Sequence, residues 1–139
     1  MQVCILIAGK DRSGGKLKAL AEGLSQGLQG QGHTVDIINI YTEQARLTLY
    51  DYILIGSEPV STFSAAIPEA LKKYLAGAGT VSGKRCFAFI PGCLRKNKTL
   101  HNLMRIMESE GMMLKMSEII TKKDEAVAIG KRLRIERNI

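Results

Sequence analysis

Short apolar runs alternate along this chain with segments whose apolar residues recur at helical spacing, and this alternation constrains the fold more than any other feature. The first run, residues 2–8, is apolar at nearly every position, which is typical of a strand buried on both faces. Four more runs of strand length follow at 33–40, 51–57, 84–92 and 112–121. Strands that alternate with helices predict an α/β fold, in which helices cover both faces of a parallel sheet.

Helical segments are predicted after the first, third, fourth and fifth runs. The first segment ends in the glycine-rich sequence GQG, and its apolar face comprises Leu17, Leu20, Ala21, Leu24 and Leu28. The second tolerates Pro68 because this proline lies in its first turn. The third begins near Leu100 and closes at Gly111. Thr121 and Asp124, three residues apart, resemble a capping box for the fourth, which we expect to run to about residue 135.

The length and the distribution of apolar residues bear on domain organisation and location. A chain of 139 residues fits one domain, residues 1–139, with a core of ordinary size. Its apolar stretches are all shorter than the ~18 residues that a membrane-spanning helix needs. Lys10 and Asp11 come too early for a secretory leader. We therefore expect a cytoplasmic protein that does not bind membranes.

The cysteines and histidines predict neither a metal site nor a disulfide framework. Cys4 and Cys86 fall in predicted strands, where a free thiol packs as a small apolar side chain, whereas Cys93 lies in a loop. The sequence has no CxxC pair, and only His33 and His101 could supply imidazole ligands. Because no histidine motif accompanies Cys93 to activate it as a nucleophile, we predict no catalytic residue.

The net charge of +7 favours anionic partners, although a solvated basic surface would explain it equally well. Residues 84–98 contain five cations without an acid: Lys84, Arg85, Arg95, Lys96 and Lys98. Residues 10–18 contain four cations against Asp11 alone. A third basic run, KRLRIERN at 131–138, is better explained as a solvated terminus than as a nucleic-acid-binding arm, so nucleic acid is not an expected partner.

The loop after the first strand, within AGKDRSGGKL at 8–17, has the character of a phosphate-binding loop. A buried strand that breaks into a glycine-containing turn before a helix leaves backbone N–H groups and the positive helix end unpaired. Glycines allow close approach of the backbone, the serine hydroxyl can add a hydrogen bond, and the basic side chains can neutralise charge. The predicted phosphate-binding residues are Lys10, Arg12, Ser13, Gly14, Gly15 and Lys16.

Two features of the same loop leave another interpretation open. A carboxylate at Asp11 would repel a phosphate unless it turned away or paired with Arg12. The sequence also fits a plain strand-to-helix turn with Ser13 as the N-cap.

Three loops together resemble those of the flavodoxin-like family in its short form, and the resemblance covers nearly the whole chain. The family follows its first strand with T-x-T-G-x-T, and here DRSGGK occupies 11–16, with Ser13 and Gly14 matching. It follows the third strand with Gly-Ser/Thr-Pro and an aromatic residue, and here the run is GSEPVSTF at 56–63, with Glu58 as an insertion. The fourth strand leads into PGCLRKNKTL, whose Thr-Leu pair fits the family pattern.

This resemblance implies a fold and a cofactor. The fold would be a three-layer, doubly wound α/β sandwich around a five-stranded parallel sheet of order 2-1-3-4-5. The cofactor would be FMN, bound without a covalent bond for electron transfer or flavin-dependent reduction, which would make the chain an FMN-dependent oxidoreductase. The alternative is a flavodoxin-like domain that has lost FMN and binds another anionic ligand or an acidic partner.

The resemblance also implies site residues in the second and third loops. Phe63 would stack on the flavin ring, and the backbone N–H groups of Gly92 and Cys93 would bind its polar edge. Carried over from the family, the cofactor-binding residues of these loops are Ser57, Pro59, Val60, Ser61, Thr62, Phe63, Pro91, Gly92, Cys93 and Leu94. If the fold is right, part of each basic cluster rims the mouth of this site: Lys10 and Arg12 from one, and Arg95, Lys96 and Lys98 from the other. This suits a phosphate-bearing ligand and an acidic redox partner protein.

Overall fold

The computed structural model describes residues 1–10 and 13–135. The predictions for Asp11, Arg12 and residues 136–138 of the basic terminus therefore lie outside the described residues. The strands are β1 (Gln2–Ala8), β2 (Thr34–Asn39), β3 (Tyr52–Ser57), β4 (Arg85–Ile90) and β5 (Met113–Ile119). The helices are α1 (Gly15–Gly30), α2 (Glu69–Gly77), α3 (Lys96–Ser109) and α4 (Lys123–Arg132), with a 3-10 turn at Leu47–Leu49.

The five strands form one parallel sheet in the order β2-β1-β3-β4-β5. One face packs against α1 and α4 through a cluster that includes Leu17, Leu24 and Ile129. The other face packs against α2 and α3 through a second cluster that includes Leu71 and Leu103. The three-layer fold and the strand order that the sequence predicted are confirmed.

Burial along the strands follows their place in the sheet. All six residues of the central strand β3 are buried, whereas β5 at the edge is only partly buried. The register between β4 and β5 shifts where Cys86 pairs with Leu114 and Phe87 pairs with Met116, so Lys115 is left over in a bulge. A lysine at a bulge discourages an exposed edge strand from pairing with another chain.

The ends of two helices differ from the sequence predictions. α3 begins at Lys96, earlier than predicted, since the Thr99 hydroxyl donates a 2.8 Å hydrogen bond to the carbonyl oxygen of Arg95. The predicted capping pair of Thr121 with Asp124 is wrong. The Thr121 hydroxyl instead donates to Glu125 at 3.0 Å, because α4 begins at Lys123 and places Glu125 one position further on.

The start of α1 also differs from one interpretation of the sequence. Gly14, not Ser13, is the N-cap, and no described side chain caps this end of the helix. Within the described residues, no helix has the length and apolar character needed to cross a membrane.

Candidate functional site

A cavity of about 380 Å³ opens at the edge of the sheet where β1, β3 and β4 end. Its volume lies in the range typical of small-molecule sites. β1 pairs with β2 on one side and with β3 on the other, so the chain reverses its direction of winding beside this cavity. Doubly wound sheets bind their ligands at such a switch point, outside the carboxyl ends of the strands.

Three loops contribute the described residues that line the cavity. They are Lys10, Gly15 and Lys16 after β1; Glu58, Pro59, Ser61 and Thr62 after β3; and Pro91, Gly92, Cys93 and Leu94 after β4. Ten of the residues predicted from the sequence are therefore brought together here, and Glu58 is an addition. Ser13, Gly14, Ser57, Val60 and Phe63 do not line the cavity, and Arg12 lies outside the described residues.

The first loop turns from β1 into α1 through two glycines with positive φ. Gly14 has φ 89°, a conformation that favours glycine, and a Cβ there would lie 3.1 Å from the side chain of Ile7. Gly15, with φ 44°, is the first residue of α1 and lines the cavity. The positive end of the helix and the cations Lys10 and Lys16 therefore meet at one end of the cavity, which favours an anion there.

Ser13, which the sequence predicted to bind the phosphate, does not line this cavity. It lines a neighbouring hollow of about 330 Å³ on the β2 side of the same loop, together with Ile7, Lys18 and Asn39. Its role in binding a phosphate stays a prediction.

The first hydroxyl of the second loop, that of Ser57, contacts backbone carbonyl oxygens of the protein itself. Ser57 is fully buried, and its Oγ lies 3.3 Å from the carbonyl oxygen of Ala8 and 3.1 Å from that of Glu58, within hydrogen-bond distance of both. This hydroxyl links the ends of β1 and β3.

The loop tip holds its shape by hydrogen bonds of its own. The backbone N–H of Val60 donates to Ala66, and that of Ala66 donates to the Ser64 hydroxyl. Phe63 is 79% exposed and Val60 is 50% exposed, so both lie at the rim. Stacking of Phe63 on a flavin ring stays a prediction.

Glu58 is the lining residue that sequence reasoning missed. Its backbone N–H donates to Ala8 at 3.1 Å, which continues the pairing of β3 with β1 for one more residue. Its side chain Oε1 accepts a 3.3 Å hydrogen bond from the backbone N–H of Lys10. Only 9% of Glu58 is exposed, and among the described lining residues it is the one acid. The sequence signal that could have identified Glu58 is its position directly after a buried strand. The comparison with the family motif treated this residue as an insertion.

The third loop passes close to the start of α4. A Cβ at Gly92 would lie 3.0 Å from the Thr121 side chain, so the loop packs tightly there. Cys93 is half-buried, with its Sγ 3.8 Å from the Thr99 hydroxyl. Leu94 is 66% exposed at the rim, beside the exposed Arg95 that precedes α3.

The first turn of α3 concentrates positive charge beside this rim. Arg95, Lys96 and Lys98 are all exposed, and the turn contains no acidic residue. Cations at a helix N-terminus oppose the helix dipole, so these side chains weaken the helix that carries them. An anion bound nearby would offset this repulsion.

Comparison with known proteins finds similar structures but no similar sequence. No family model matches the chain, and no curated protein matches it. A flavodoxin from the domain Archaea is 22% identical, with a TM-score of 0.74 over 96% of this chain and 93% of that one. Oxidised flavodoxin 1 from Bacillus cereus is 15% identical, with a TM-score of 0.69 over 95% and 93%. An NADH:FMN oxidoreductase in its apo form is 12% identical, with a TM-score of 0.67 over 94% and 88%.

These likenesses extend over nearly the whole chain and agree with the order of the strands. At such low identity they establish architecture and leave function to be argued from the site. The parallel sheet of order β2-β1-β3-β4-β5 and its four helices give this chain the flavodoxin-like fold.

Proposed function

We propose that the chain binds FMN without a covalent bond in the cavity between the β1, β3 and β4 loops, and uses it for electron transfer or flavin-dependent reduction. The observation that carries the proposal is the position of this cavity at the carboxyl ends of the strands, beside the switch point between β1 and β3. The similar solved structures, which include flavodoxins and an NADH:FMN oxidoreductase, support it.

The lining residues fit the two chemically different ends of this cofactor. Pro59, Pro91 and Leu94 supply apolar surface for a flat ring system. Lys10 and Lys16, with the positive end of α1, supply the charge that a phosphate requires. The cations outnumber the single acid among the described lining residues, so the balance of charge favours an anion.

Each group of residues has a definite role in this proposal. Lys10, Gly15 and Lys16 hold the phosphate. The hydroxyls of Ser61 and Thr62 suit a polyol chain, and the Pro91–Leu94 loop borders the ring. When bound, FMN supplies the electron-transfer chemistry, and the protein supplies position and electrostatics. The exposed Arg95, Lys96 and Lys98 suit an acidic redox partner. One domain over 1–139 and a cytoplasmic location remain predictions.

A titration of the purified protein with FMN, followed by flavin fluorescence, tests the proposal. The wild type should show saturable 1:1 binding. Cys93→Trp, which puts a large side chain against the cavity, should weaken binding at least about tenfold, while Cys93→Ser keeps the volume and should bind as the wild type does. Circular dichroism checks that both variants fold. Wild-type protein that binds no FMN, or equal binding by both variants, would refute the proposed site.

A further inference from the structure

The carboxylate of Glu58 occupies the phosphate end of the cavity. Ala8 at the end of β1 is level with Ser57 at the end of β3, so the residues that follow the two strands are neighbours. This register brings Glu58 against Lys10, and Oε1 accepts the backbone N–H of Lys10 at 3.3 Å. The residue is nine-tenths buried and lines the same cavity as Lys16.

A carboxylate in this position has two effects on a phosphate that enters the cavity. It already accepts one of the backbone N–H groups of the loop, so that donor must be released before a phosphate can use it. It also repels the phosphate, and the repulsion is stronger in a partly buried site than in water. Lys10 and Lys16 attract both the Glu58 carboxylate and the phosphate, so these two anions compete for the same cations.

We propose that Glu58 competes within the molecule with the phosphate group of the ligand for the Lys10 backbone N–H and for the charges of Lys10 and Lys16, so that this chain gains little affinity from the phosphate. The inference rests on the proposed function and deepens it. The chain should discriminate weakly between FMN and riboflavin, which differ only in the phosphate.

The test compares the affinities of FMN and riboflavin for the wild type and for Glu58→Gln, both measured by flavin fluorescence titration. Glutamine keeps the shape and an acceptor for the Lys10 N–H but removes the charge. Glu58→Gln should bind FMN about tenfold more tightly, the size expected when a charge-assisted contact is no longer opposed. Its affinity for riboflavin should change less than about twofold.

Glu108→Gln is the matched control. Glu108 is exposed near the end of α3, at the opposite edge of the sheet, so this variant changes the net charge equally without touching the cavity. It should leave both affinities unchanged. Unchanged or weaker FMN binding by Glu58→Gln overturns the inference. Equal tightening for FMN and riboflavin also overturns it, because the effect would then not involve the phosphate.

A second measurement separates this inference from the flavin proposal. Inorganic phosphate is titrated into both proteins while the amide NMR signals of Lys10, Gly15 and Lys16 are followed. If no variant binds a flavin, the proposed function fails, but the phosphate titration still decides the role of Glu58. Saturation at about tenfold lower phosphate in Glu58→Gln supports the competition, and equal saturation in both proteins refutes it.

Discussion

At the scale of single residues, the three cysteines lie in environments that should make them react very differently. Cys4 and Cys86 are fully buried in β1 and β4, and burial raises the pKa of each thiol to about 12. The thiolate is the reactive form, so below that pH these two remain protonated as well as inaccessible. Cys93 is half-buried and lines the cavity.

We therefore predict that one thiol of the native protein reacts rapidly with an aromatic disulfide reagent at pH 8, and that two more react only after unfolding. The reaction is followed by absorbance as the coloured thiolate leaves. Cys93→Ser should remove the fast phase, and FMN should slow it in the wild type if the ligand covers the cavity. Two or more fast thiols in the folded protein would contradict the described burial.

The loop after β3 shows what a sequence motif leaves undetermined at the scale of a residue. The motif comparison selected Ser57 and Phe63 as ligands and passed over Glu58, yet Ser57 is buried in internal contacts and Phe63 is exposed at the rim. Successive side chains point to opposite sides where a strand ends, so a single inserted residue changes which one faces the cavity. The pairing of β3 with β1 determines which side chain faces the cavity, and a sequence motif does not contain that pairing.

At the scale of elements, α1 and α4 pack so closely that glycine is required at their contact. A Cβ at Gly27 would lie 2.4 Å from the carbonyl oxygen of Val127 and 2.5 Å from the backbone nitrogen of Lys131. A Cβ at Gly130 would lie 2.4 Å from the carbonyl oxygen of Leu24. These neighbours are helix backbone, which cannot move without separating the two helices.

Gly27→Ala should therefore lower the free energy of unfolding by about 2–3 kcal/mol, because overpacking outweighs the better helix propensity of alanine. Urea denaturation followed by circular dichroism measures this. Gly30→Ala is the control in the same helix: a Cβ there meets nothing within 4 Å, so stability should be unchanged or rise by up to about 1 kcal/mol. Equal effects of the two substitutions would show that the helices are not in close contact.

Helices and strands were predictable here because their apolar residues repeat with the right period. Each predicted strand matches an observed one, with no end displaced by more than two residues. The start of α3 was not predictable in this way, since Lys96, Asn97 and Lys98 carry no apolar pattern. The Thr99 hydroxyl donates to the carbonyl oxygen of Arg95 one turn earlier, and Thr99 is fully buried, which depends on the tertiary structure.

At the scale of the whole molecule, the position of the charges matters more than the net charge of +7. α3 and α4 run antiparallel to the strands, so the first turn of α3 lies at the cavity edge and the last turn of α4 lies at the opposite edge. Arg95 and Lys96 are exposed beside the cavity, and Lys131 and Arg132 are exposed at the far end. The two pairs carry equal charge. Substitution of one pair or the other therefore distinguishes attraction of a ligand by charges at the cavity from the effect of the net charge of the protein.

Reversal of both charges in Arg95→Glu/Lys96→Glu should slow the association of FMN about tenfold at low ionic strength, because the phosphate dianion would no longer be attracted to the mouth. The difference from wild type should shrink as salt is raised, since exposed charges are screened over about 8 Å at physiological ionic strength. Stopped-flow fluorescence measures the association rate at each salt concentration.

Lys131→Glu/Arg132→Glu changes the net charge by the same amount and should slow association far less, because its charges are remote from the mouth. If both double variants slow association equally, only the net charge acts, and the basic rim has no role of its own. If neither does, Arg95 and Lys96 do not steer FMN into the cavity.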